Sequence, residues 1–180
     1  MRTKGTLLLV CAVLGGVTAA QTPPQPYAGQ ENRTIKALSA QEIDEYLAGN
    51  GMGLAKAAEL NGYPGPKHVL ELSAQLELTP AQRAATESVF NSMQLEARSI
   101  GRDLVAAEQE LDHLFATQAI TSSSLDRKLR DIGSLQARLR AVHLQAHLKQ
   151  AQILTRSQAT RYAQLRGYGS EDAHTGHHAH

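Results

Sequence analysis

The chain has one cysteine, no tryptophan, two phenylalanines and five tyrosines among 180 residues. The cysteine, Cys11, lies in an N-terminal stretch whose layout is that of a secretory signal peptide. Arg2 and Lys4 precede an apolar run from Leu7 to Val17 that closes on small residues, and cleavage is expected after Ala19 or Ala20. Val10 stands where a lipidated cysteine requires a small residue, so lipidation is not expected. The exported chain then has no disulfide, no thiolate nucleophile and no cysteine metal site. The apolar run falls short of the roughly 20 residues that span a bilayer, and no later stretch reaches that length, so the protein is not expected to be membrane-embedded.

Charge of one sign is also lacking. The full chain carries 18 basic and 17 acidic residues, and removing residues 1–20 leaves 16 against 17. Such a balance gives no overall field to steer the chain toward nucleic acid, which is not expected as a partner. Catalytic signatures are missing too: there is no GxSxG elbow, no HExxH helix and no phosphate-cradling glycine loop, so no enzymatic activity is expected. Gly49, Gly51 and Gly53 do form a GxGxG, but no strand precedes them.

With aromatics at 4%, the core must be aliphatic, and Leu and Ala are good helix formers. The expected fold is all-α: a long antiparallel helical hairpin with short flanking helices, four to five in total, assembling as a dimeric cradle. The organisation read from composition is a signal peptide (1–20), a proline-containing flexible leader (21–37), a helical domain (38–168) and a polar, His-rich tail (169–180).

Within the domain, Ser39 and Glu42 form a capping box. Glycines and the Pro64-Gly65-Pro66 run then interrupt the chain, and Pro66 suits the first turn of a further helix. At Leu78-Thr79-Pro80-Ala81-Gln82, Thr79 is a natural N-cap, Pro80 fits the first helical position, and Gln82 can reach back to the cap. From there Phe90, Met93, Ala97, Ile100, Leu104, Ala107, Leu111 and Leu114 recur at spacings of three and four, the seam of a helix packed lengthwise on another. Gly101 inside it marks a close approach or a bend. After Ile120–Ser124 a second seam runs through Leu125, Leu129, Ile132, Leu135, Leu139, Val142, Ala146 and Ile153. A short turn between them makes the two helices antiparallel neighbours. The opening signal then repeats as Leu154-Thr155-Arg156-Ser157-Gln158, ahead of a last short helix with Tyr162 and Leu165.

Two LTxxQ helix starts in a small exported all-α chain resemble the Spy/CpxP family of periplasmic proteins, over roughly residues 38–168. The segment GNGMGLAKAAELNGYPGPKHVLEL is also similar to the N-terminal part of such sequences. The resemblance implies a periplasmic location and a hairpin subunit that forms a homodimer. It further implies ATP-independent binding of non-native client proteins, or a report of envelope stress or heavy metal, with a membrane sensor kinase as a further partner. Leu78, Thr79, Gln82, Leu154, Thr155 and Gln158 carry the motif. Met93, Arg98, Ile100, Arg102 and Arg138 are candidate client contacts, although the family's basic concave face is not matched by this near-neutral chain.

The rival expectation is a metal-binding resistance or sensor protein. His143 and His147, one helical turn apart, project from one face and could share a divalent ion, with His68 or His113 as a third ligand. No cofactor is required; Zn, Cu or Ni are the ions that imidazoles suit, and His174, His177, His178 and His180 in the tail would bind them loosely.

Overall fold

The computed structural model describes residues 25–168. These form six α-helices and no strand: α1 (Ala40–Ala48), α2 (Lys56–Glu59), α3 (Pro66–Glu71), α4 (Pro80–Ala116), α5 (Ser122–Ile153) and α6 (Arg156–Leu165). The expected all-α hairpin is there, with one element more than four to five; the addition is the single turn of α2. The proposed signal peptide and His-rich tail lie outside the described residues. Among the described residues, no helix is long and apolar enough to cross a membrane.

Helix α4 has 37 residues, a length of about 55 Å, and α5 returns beside it after a turn in which Gln118 takes a positive φ of 56°. Their seam follows the three-four spacing: Ala97, Ile100 and Leu104 of α4 bury against Ile132, Leu139 and Val142 of α5. Met93, Ala107, Leu111 and Leu135 pack at its margins. Leu129 departs from the expected seam and is 52% exposed. It lies near the tip of the hairpin, where only two helices are available to cover it. The same core holds a polar bridge, with Gln150 Nε2 donating to Thr86 Oγ1 at 3.2 Å and Thr86 Oγ1 donating to the Gln82 carbonyl at 2.8 Å.

Helix α1 begins at the Ser39–Glu42 capping box and ends on Gly49, whose φ of 70° is the left-handed C-cap conformation. It crosses α4 at Gly101, and a Cβ there would fall inside the contact radius of the Tyr46 carbonyl oxygen. The glycine marks a close approach, one of its two expected meanings. Arg98 Nε donates to the Ala48 carbonyl at 3.1 Å, satisfying the end of α1.

The expected boundary of a flexible leader at residue 37 needs correction. Ile35 and Leu38 are buried, the Leu38 N–H donates to the Ile35 carbonyl at 3.1 Å, and the Lys36 N–H donates to Asp112 Oδ1 at 3.0 Å. Two aliphatic residues at a tight bend suffice to dock this stretch on the hairpin; composition averaged over a proline-containing segment hides them.

Candidate functional site

The two LTxxQ motifs meet. Each opens its helix with a reciprocal capping box: Gln82 N–H donates to Thr79 Oγ1 at 3.2 Å while Thr79 N–H donates to Gln82 Oε1 at 3.1 Å. Thr155 and Gln158 repeat this at 3.2 and 2.9 Å. Each glutamine then uses its amide hydrogens on the other motif. Gln82 Nε2 donates to Gln158 Oε1 at 2.8 Å and to the Ile153 carbonyl at 3.0 Å. Gln158 Nε2 donates to Gln82 Oε1 at 3.0 Å and to the Leu76 carbonyl at 3.1 Å. Four amide hydrogens and two carbonyl oxygens are thus fully used in a two-way clasp. Leu78 and Leu154 flank it, packed on a small core of Val69, Leu76 and Tyr162. The motif residues therefore join the start of α4 to the start of α6.

One layer away, an open cleft of about 820 Å³ lies between the connection from α1 to α3 and the long helices. His143 and His147 both reach it, as do Phe90 and Met93 of α4. Leaving α5 one turn apart on the side that faces α2 and α3, the two imidazoles are almost wholly buried, at 3% and 9% exposed. His147 Nδ1 donates to the Tyr63 carbonyl at 2.8 Å, which fixes the proton on that nitrogen because a carbonyl can only accept. His143 Nε2 is buried with no partner among the described residues, and the other edge of the ring lies under Gly51. Burial, reinforced by the neighbouring His147, pushes the His143 imidazole below its ordinary pKa.

Glu59 organises this end of the cleft. Its carboxylate accepts from Tyr162 Oη at 2.5 Å and from the Gly65 N–H at 3.1 Å, lies 3.7 Å from His147 Nδ1, and faces Arg166 Nε at 3.6 Å. Burial first, and then the hydrogen bond to Glu59, pushes the Tyr162 hydroxyl far up from the ordinary phenol range. Glu59, Tyr162 and Arg166 were not expected from sequence. No spacing relates residues 59, 162 and 166; they meet because the clasp and the core around Tyr162 bring α6 back to the α2–α3 segment.

The other expected site residues are dispersed. His68 lines the same cleft but hydrogen-bonds Glu71 through Nδ1 at 2.8 Å, and that bond holds the Glu71 carboxyl below its ordinary range. His113 is exposed in the last turn of α4; counted along α5, the turn end of the hairpin is about 30 Å from His143. Among the described residues, no group of three or more His, Cys, Asp or Glu side chains is arranged around one ion position. Of the candidate client contacts, Met93 lines the cleft and Arg102 and Arg138 are exposed. Ile100 is withdrawn: at 2% exposed it belongs to the hairpin core, because the seam of α4 faces α5. Arg98 is exposed but committed to the end of α1. Across the hairpin, Lys128 pairs with Glu110.

Neither a protein-family model nor a curated protein nor a solved structure matches this chain.

Proposed function

We propose that the protein is an exported, ATP-independent holding chaperone of the Spy/CpxP kind, working in the periplasm as a homodimer. The observation that carries this reading is the set of large apolar side chains left in solvent along the stretch from α1 to α3. Leu47 near the end of α1 and Met52, Leu60 and Tyr63 between α1 and α3 are exposed, and Met52 lines the cleft together with Phe90 and Met93. Methionine and aromatic side chains re-pack around varied apolar segments at low cost, which suits clients of no fixed sequence. Dimerisation is supported by the outer face of α5. There Ala137, Ala141, Leu144, Leu148 and Ala151 recur at spacings of four and three, opposite the core seam, and none is buried. A helix with an apolar stripe on each of two opposite faces has a second packing partner to find. Suppression of the aggregation of an unfolding test protein, followed by light scattering, tests the reading.

A second reading, metal capture, is favoured by one specific arrangement. His143 and His147 stand one turn apart on α5, both almost wholly buried and both reaching the cleft, a pair of nitrogen ligands suited to Zn or Cu.

A further inference from the structure

The cleft's charged groups are unequally satisfied. Its carboxylates are used within the fold: Glu42 by the backbone and hydroxyl of Ser39, Glu45 by Asn50, and Glu59 by Tyr162 and Gly65. Its cations are less fully used. Lys56 and Lys67 line the cleft and make no ion pair among the described residues. Arg166 spends Nη2 on Tyr168 at 3.2 Å and faces Glu59 through Nε at 3.6 Å, too long for a hydrogen bond, so that its buried Nε has no hydrogen-bond partner. His143 adds a second buried nitrogen in the same condition. Buried polar groups left unpaired cost about 1–3 kcal/mol each, more where charged, so native folds rarely keep them without a use. The same cleft is also lined by the apolar side chains of Met52, Phe90 and Met93. A volume of about 820 Å³ is that of a site for a small organic ligand.

We propose that this cleft binds an apolar carboxylate, its headgroup held by Lys56, Lys67 and Arg166 and its hydrocarbon part against Met52, Phe90 and Met93. A carboxylate supplies the acceptors that these donors lack and that the cleft's own carboxylates, already engaged, cannot supply. Such a group has two sources, the C-terminal residue of a peptide or a free aliphatic acid. The site goes beyond client holding, since the exposed rim can engage a client with the cleft empty.

The test is calorimetric titration of the full exported chain, in the presence of a chelator, with four probes. These are N-acetyl-Val-Ala-Leu with a free carboxylate, the same peptide as its amide, octanoate and octanol. At least one acid is expected to bind at a single site, with its uncharged counterpart bound at least about tenfold more weakly, as loss of a charge-assisted pair requires. Whichever acid binds more tightly identifies the source. The exposed-side substitutions Lys56→Gln and Lys67→Gln are expected to weaken the acid several-fold without altering the helical spectrum. Arg166→Gln should weaken it further, but the lysine variants decide the matter if Arg166→Gln unfolds. Equal affinity for acid and uncharged partner, absence of binding by both acids, or affinities unchanged in the double lysine variant would overturn the proposal. Because the readout is binding of a small probe, it fails independently of any loss of aggregation suppression.

Discussion

Gln82 and Gln158 hydrogen-bond each other in both directions, Nε2 to Oε1 at 2.8 Å one way and 3.0 Å the other, across 76 residues of sequence. Each oxygen also accepts its own cap N–H, and each nitrogen also reaches a backbone carbonyl of the opposite motif. A capping box accepts Glu as readily as Gln; this clasp does not, because a carboxylate has no hydrogen to give.

Gln82→Glu should therefore preserve the helix start and lose the clasp, placing a carboxylate against Gln158 Oε1 and the Ile153 carbonyl. We expect a loss of about 1–3 kcal/mol at neutral pH, measured as a fall in the urea midpoint. Part of it should return as the pH drops through the carboxylate range and the side chain gains a proton to donate. Gln82→Ala and Gln158→Ala should be non-additive in a double-mutant cycle, with a coupling of about 0.5–3 kcal/mol. Strict additivity would show that the two glutamines act only as separate caps.

Gly101 gives a prediction whose sign is the test. In an exposed helix, Gly→Ala stabilises by about 1 kcal/mol. At Gly101 the new methyl meets the Tyr46 carbonyl, which is backbone and cannot swing aside. Gly101→Ala should lower the melting temperature, by the equivalent of about 1–3 kcal/mol for overpacking. Gly133, whose Cβ would meet nothing within 4 Å, serves as the control, and Gly133→Ala should raise it.

His143 makes stability depend on pH in a stated direction. Its folded-state pKa is depressed by burial and by His147, so below about pH 6.5, the ordinary histidine value, the unfolded chain takes up a proton that the folded chain refuses. The contribution is complete above that pH and is lost as the pH falls from there toward the folded-state value. Glu42 and Glu71, whose carboxyls are lowered by hydrogen bonds from Ser39 and His68, lose their contributions only further down, below about pH 4.5. Urea midpoints compared at pH 7.5 and 5.5 should therefore fall less in His143→Leu than in the parent chain. An equal fall would remove His143 as the cause.

Metal capture has its own measurement. Calorimetry with Zn and Cu on the chain ended at Tyr168 excludes loose binding by the tail histidines. Single-site binding abolished by His143→Ala and weakened by His147→Ala would establish the second reading; the absence of heat with either ion would dismiss it.

Much of this fold was legible because its signals are local. The capping boxes at Ser39, Thr79 and Thr155 and the three-four seams of α4 and α5 rest on neighbours within one helical turn, which spacing reveals. Leu129 misled because periodicity says which face a residue shares, not whether a third layer covers that face. The clasp was half legible: two motifs were visible as helix starts, but not their meeting, since each glutamine satisfies its cap before its second pair of bonds is apparent. Of the cleft, the histidine pair, His68 and Met93 could be read in advance. Glu59 comes from a four-residue helix too short for any periodicity, and Arg166 and Tyr162 reach it through the clasp and the core around Tyr162.

Holding of non-native proteins on the exposed apolar side chains between α1 and α3 is measured by light scattering of a chemically denatured test protein diluted into buffer without ATP. The exported chain is expected to suppress scattering at stoichiometric ratio, and replacing Met52, Leu60 and Tyr63 by Ser is expected to remove most of that suppression while leaving the helical spectrum intact. Scattering unchanged by the parent chain, or suppressed equally by the triple variant, would contradict it.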